Sequence, residues 1–188
     1  CDAAPISIAG AKAGDVLILT KPIGSGVIMA AEMAGQACGA DVAAAFDWMV
    51  MGQAKASDIL SQAHAMTDVT GFGLAGHLSG ICEASDVAAT LDLDAVPFMA
   101  GAVALAQTGL RSSLFEDNRS GAGPVFGAQG AKGDLLFDPQ TAGGLLAAVD
   151  ARKADALLAE LLAAGYPAAI IGKITDGAPA VQVISTPG

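Results

Sequence analysis

Positive charge is scarce in this sequence. Lys and Arg number 9 against 19 Asp and Glu, a formal net charge of -10 over 188 residues. A surface for DNA or RNA needs the opposite sign, so nucleic-acid binding is excluded, and polyphosphates would be handled through metal ions and backbone amides. Cysteine is also sparse: Cys1, Cys38 and Cys82 are odd in number, far apart and outside any C-x-x-C pattern. That excludes a disulfide frame or zinc site and reads as reduced, cytoplasmic usage. The two histidines, His64 and His77, do not form an i, i+4 pair, which argues against a transition-metal site. The apolar runs around Val27 and Leu157 are interrupted before membrane-spanning length, and no signal peptide is visible. No G-x-x-x-x-G-K-[ST] phosphate loop occurs. The chain opens on Cys1-Asp2 without a methionine, which suggests an excised piece of a longer protein.

Small apolar residues are abundant. Apolar residues make up 53% of the chain, aromatics only 4%, and there are 24 glycines. Such a core packs closely, as helices layered on a sheet do. The length fits a single domain over 1–188. Val16 to Thr20 is a continuous apolar run of strand length. Gly24-Ser25-Gly26 then turns the chain into a helix predicted from Val27 to Ala37. This turn could cradle phosphate or merely connect, and Met29 stands where G-x-G-x-x-G would place its third glycine. Asp41 to Gln62 predicts two helices meeting near Met51-Gly52, with a methionine-rich stripe suited to core. Val87 to Asp94 alternates as a half-buried strand does, and Pro97 to Gln107 reads as a helix started by proline. Arg111 to Lys132 is expected to be a long irregular loop, either functional or plain surface. Asp150 is predicted to cap a helix that buries Leu157, Leu158, Leu161 and Leu162 and ends at Gly165. Two final strands, Ala168 to Ile174 and Val181 to Ile184, are split by an Asp176-Gly177 turn. Helices and strands without strict alternation predict an α+β sandwich on a mixed sheet.

Two stretches carry chemistry. Ala65-Met66-Thr67-Asp68-Val69-Thr70-Gly71-Phe72-Gly73-Leu74 runs from an apolar strand through a carboxylate between threonines to a Gly-x-Gly turn and a helix running to about Ala84. Free N–H groups at a helix N-terminus beside a hard oxygen ligand suit a phosphate bridged by Mg²⁺. A plain strand-turn-helix corner, with Asp68 capping the turn, fits the same spacing. In the second stretch, Leu135 to Gly144, an apolar strand end is expected to deliver Asp138 into a Pro139-Gln140-Thr141 turn, bringing Asp138 and Thr141 near the first stretch.

Together Thr67-Asp68-Val69-Thr70-Gly71-Phe72-Gly73-Leu74, Gly76-His77-Leu78 and Asp138-Pro139-Gln140-Thr141-Ala142-Gly143-Gly144 closely resemble the C-terminal domain of selenophosphate synthetase (selenide, water dikinase). Gly14 to Gly24 and Arg111-Ser112-Ser113-Leu114 with Asn118 also resemble that family, so the similarity covers essentially the whole chain in order. The wider superfamily includes aminoimidazole ribonucleotide synthetase, whose C-terminal domain has the αβ sandwich expected here. The resemblance implies the conversion of ATP, selenide and water to selenophosphate, AMP and phosphate with Mg²⁺. It also implies an N-terminal ATP-binding domain as partner and a homodimer of the full-length enzyme. Asp68 matches the family's Mg²⁺ ligand in this half, with Thr67, Thr70, Gly71 and Gly73 as supporting cofactor-binding positions. The family's reactive cysteine and lysine lie in the other half. Cys1 lacks their context, and this chain alone is expected to be inactive. A non-catalytic interaction or regulatory module, or a relative acting on another acceptor, are the competing readings.

Overall fold

A computed structural model of the chain describes residues 5–185, so Cys1 lies outside the described residues. In chain order the elements are β1 Val16–Leu19, α1 Ser25–Met33, α2 Gly39–Val50, α3 Ala54–Ile59, β2 Ala65–Asp68, α4 Gly73–Ser85 and β3 Ala88–Asp92. They continue with α5 Ala102–Gln107, α6 Phe115–Gly121, β4 Val125–Phe126, α7 Gly130–Leu135, β5 Leu145–Val149, α8 Ala151–Ala163, β6 Ala169–Thr175 and β7 Ala180–Ile184. The strands form one sheet in the order β2-β5-β1-β6-β3-β7-β4. Pairing is antiparallel from β2 to β3, whereas β7 pairs in parallel with both β3 and β4, giving the mixed sheet of an α+β fold.

Strand alternation divides the core between two faces. Leu17 and Leu19 of β1 join Leu74, Leu78 and Ile81 of α4, while Ile18 points the other way into a cluster with Ala56, Leu60 and Leu161. A third apolar cluster is assembled from α1, α2, α5 and α7 around Val27, Ile28, Val42, Ala102 and Leu135. Asp150 caps α8 by accepting from Arg152 N at 3.0 Å, and Gly165 ends the helix with φ 88°. Of the four leucines expected on its buried face, Leu162 is exposed. No helix among the described residues is long and apolar enough to cross a membrane.

Three expectations need correction. Arg111 to Lys132 is no irregular loop: α6, β4 and the first half of α7 lie within it, each element too short for a hydrophobic period to register. The segment from Pro97 is extended and bridges Ile23 through Phe98, with Ile23 N donating to Pro97 O and Met99 N to Ile23 O, so α5 starts only at Ala102. Asp138 follows the end of α7 and not a strand; Asp138 N donates to Leu135 O in that turn.

Candidate functional site

β2 is an edge strand whose last residue, Asp68, stands opposite Leu145 of β5. Val69 turns into the core, whereas Asp68 is exposed, and its carboxylate takes no hydrogen bond or ion pair among the described residues. Thr67 and Thr70 flank it, both half-buried. The Thr67 hydroxyl donates to Asp68 O at 3.2 Å. Thr70 N donates to His77 Nε2 at 2.9 Å, closing the loop onto α4, and Gly73 N donates to Thr70 O at 3.0 Å. An Nε2 that accepts must be unprotonated, and burial lowers the His77 pKa, with Asp68 opposing in part. His77 is thus the acceptor that fixes the loop carrying Asp68, a role invisible in its spacing.

The start of α4 does not present the free donors that the sequence suggests. Gly73 is buried at φ 71°, and a Cβ there would stand 2.8 Å from Leu136 O. Ala75 N donates to Leu136 O at 2.8 Å. The first turn of α4 is therefore plugged by residues 136–138, and Gly73 is required by close packing and a left-handed φ, not by an open surface. Gly71 differs: it is exposed, and a Cβ there would meet nothing within 4 Å. Asn118, buried on α6, donates from Nδ2 to Gly71 O at 2.8 Å and to Phe137 O at 3.0 Å, tying the two motifs together. A cavity of about 230 Å³ lined by Phe72, Gly76, Asp117, Asn118, Gly121 and Ala122 lies beside this tie.

The second motif is an internal cap. Gln140 Oε1 accepts from Gly24 N at 2.9 Å, Ser25 N at 3.1 Å and the Ser25 hydroxyl at 3.2 Å, and Asp138 Oδ2 accepts from Gly26 N at 2.9 Å. The Gly24-Ser25-Gly26 turn is thereby filled by protein side chains that satisfy the orphan donors of α1. Thr141 N donates to Ser25 Oγ at 2.9 Å, and Gln140 N to Thr70 O at 3.0 Å, so the 138–144 segment lies against the Asp68 loop as expected. The side chain of Gln140, overlooked in the sequence, does most of this capping; its only signal was its place within the Asp138-Pro139-Gln140-Thr141 run.

Burial pushes the Asp138 carboxyl up to about 6 from 3.8, against the lowering effect of its N–H donors Val27, Gln140 and Gly26. A raised folded-state pKa favours the protonated form on folding. The stability it contributes is full below about pH 3.8 and is lost as pH rises through about 6. Wild-type stability relative to Asp138→Asn is expected to fall by about 2 kcal/mol between pH 4 and pH 7. Denaturant titrations of both proteins across that range check this, and a difference independent of pH would contradict it.

Among the described residues no group of three or more His, Cys, Asp or Glu is placed to hold a metal ion. Asp68 instead offers one hard oxygen donor, outward-facing and without a protein partner, which fits a Mg²⁺ shell completed from elsewhere. Of the neighbouring positions, Gly71 is exposed, Thr67 and Thr70 are half-buried and Gly73 is buried.

Residues 12–184 match the family model for the C-terminal domain of AIR synthase related proteins. A selenide, water dikinase of Myxococcus xanthus is 40% identical over 185 residues, covering 94% of this chain and 52% of that protein. The chain thus spans about half the length of the curated relatives it matches. A crystal structure of the hydrogenase maturation protein HypE shares the fold, with a TM-score of 0.74, 22% identity and coverage of 99% of this chain and 54% of that one. A second HypE structure, in complex with ATP, superposes with a TM-score of 0.65 at 19% identity, covering 96% of this chain and 50% of that one. A family match over residues 12–184 and relatives of this identity agree: the chain belongs to the AIR synthase related proteins, as their C-terminal domain.

Proposed function

We propose that the full-length protein containing this chain makes selenophosphate from ATP, selenide and water, releasing AMP and phosphate. In this reading the chain is a single domain that closes one side of a nucleotide cleft against an N-terminal ATP-binding half, in a cytoplasmic homodimer. The observation that carries the reading is Asp68: an exposed carboxylate with no hydrogen-bond or ion-pair partner among the described residues, held at the end of an edge strand whose loop is fixed by His77 and Asn118. An interaction module has no physical need for an acidic group so placed. The resemblance to selenide, water dikinases at 40% identity supports the choice of acceptor.

Asp68 would hold Mg²⁺ through oxygen. When bound, that ion supplies charge neutralisation for phosphoryl transfer. Thr67, Thr70 and Gly71 set the direction and height of the carboxylate, while Gly73 supports them from below. In this reading the nucleophile belongs to the N-terminal half, so this chain by itself is expected to form no selenophosphate.

The test is to incubate the full-length protein with ATP, Mg²⁺ and selenide and follow products by phosphorus NMR, with this chain alone in parallel. Selenophosphate with AMP from the full-length protein supports the reading. ATP turnover without selenophosphate points to another acceptor, and no turnover at all points to an interaction module. Selenophosphate from this chain alone would overturn the division of labour.

A further inference from the structure

Lys21 follows β1 and is 1% exposed, the largest fully buried side chain of the described residues. Its ammonium donates to Trp48 O at 2.8 Å and Ala142 O at 3.0 Å, and among the described residues no ion pair to a carboxylate accompanies it. Burial holds its pKa below the usual lysine range. A buried ammonium facing only carbonyl dipoles is costly, and an apolar side chain of the same length would fill the space without that cost. Its value must therefore lie in what it grips. Lys21 cannot touch a ligand at this exposure, so any effect passes through Ala142 and Trp48.

Ala142 has φ 49°, an unusual conformation for a residue with a Cβ, and it begins the turn into β5. The next residues are pinned from the same side. Gln53 Nε2 donates to Gly143 O at 2.7 Å, the Thr20 hydroxyl donates to Gln53 Oε1 at 3.3 Å, and Leu145 N donates to Thr20 Oγ1 at 2.7 Å. The far side of this turn bears on the Asp68 strand. Val69 N donates to Gly144 O at 2.8 Å, and a Cβ on Gly143 would collide with Val69 O. One continuous set of contacts thus runs from Lys21 through Ala142, Gly143 and Gly144 to Val69, the residue after Asp68.

We infer that Lys21 is a positioning residue: its grip on the Ala142 carbonyl, shared with that of Gln53 on Gly143, sets where the end of β2 presents Asp68. The inference rests on the proposed role of Asp68. A partner that orients a metal ligand without touching the metal is typically worth 10- to 100-fold in metal affinity.

The test uses the full-length protein carrying Lys21→Met, which keeps the side-chain length and removes the donor. Mn²⁺ affinity in the presence of adenylyl imidodiphosphate is titrated by electron paramagnetic resonance, and the Thr70 amide resonance, which reports its bond to His77, is recorded by NMR. A folded variant with Mn²⁺ affinity weakened about tenfold or more and a shifted Thr70 amide is expected. A folded variant with both readings as in the wild type overturns the inference. Should Lys21→Met fail to fold, Gln53→Met, which removes the second grip from a half-buried site, decides on the same readings. Asp68→Asn is titrated alongside. If it leaves Mn²⁺ binding unchanged, the metal role of Asp68 fails, and the Thr70 amide alone decides whether Lys21 positions this loop: a shift sustains the inference and no shift overturns it.

Discussion

Asp68→Asn in the full-length protein is expected to lower selenophosphate formation at least about 100-fold while leaving the fold intact. Asparagine preserves the volume and one carbonyl oxygen but removes the negative charge that a hard cation requires. A 100-fold loss corresponds to about 3 kcal/mol of transition-state stabilisation, within what a charge-neutralising ligand supplies. Stability should change by no more than about 0.5 kcal/mol, because the carboxylate is exposed and has no hydrogen bond or ion pair to lose among the described residues. The Mg²⁺ requirement should rise together with the loss. A second signature is independent of turnover: Asp68 opposes the lowering of the His77 pKa, so its neutralisation should lower that pKa further, read from the imidazole resonances. Unchanged selenophosphate formation would remove Asp68 from the site even if the His77 shift appeared. A large fall in melting temperature would recast Asp68 as a turn cap.

What could be read from the sequence follows a physical division. β1 was legible because a buried strand is a continuous apolar run, and α8 because Asp150 and Gly165 mark its ends. The strand-turn-helix corner that carries Asp68 was legible because a carboxylate between two threonines before a Gly-x-Gly turn is a local pattern. Elements of six or seven residues, such as α6 and α7, were not, since one or two turns cannot establish a period. Nor could local pattern reveal that β2 pairs with β5, across some eighty residues of chain, because register is set by tertiary packing. The same distance hid the contacts that complete the site. Lys21, Gln53, Asn118 and Gln140 each bond a backbone group remote in sequence, and such bonds have no spacing to recognise. The helix N-terminus at Gly73 misled for a related reason: Ala75 N finds its acceptor, Leu136 O, only when residues 136–138 fold against the helix.

Gln140→Leu is expected to be the most damaging conservative change outside the Asp68 loop. Leucine approximates the shape of glutamine, so the loss is of hydrogen bonding and not of packing. Gly24 N, Ser25 N and the Ser25 hydroxyl would all lose the acceptor Oε1, and each buried donor left unpaired costs about 1–3 kcal/mol. Asp138 would also lose the Gln140 amide that helps hold its charged form, raising its pKa further. A total of about 3–5 kcal/mol follows, or a melting temperature lower by about 10 °C for a chain of this size. Thermal denaturation by circular dichroism measures the sum, and faster hydrogen exchange at Gly24 and Ser25 locates it. Gln140→Glu separates the acceptor from the charge. It keeps two oxygens for the same donors but sets a second carboxylate beside Asp138, so its stability should recover as pH falls toward 5, whereas that of Gln140→Leu should not. If Gln140→Leu melts within about 2 °C of the wild type, which is less than about 1 kcal/mol, the cap on α1 is not what holds the second motif. The contacts of Gly143 and Gly144 with the Asp68 strand would then have to bear that role alone.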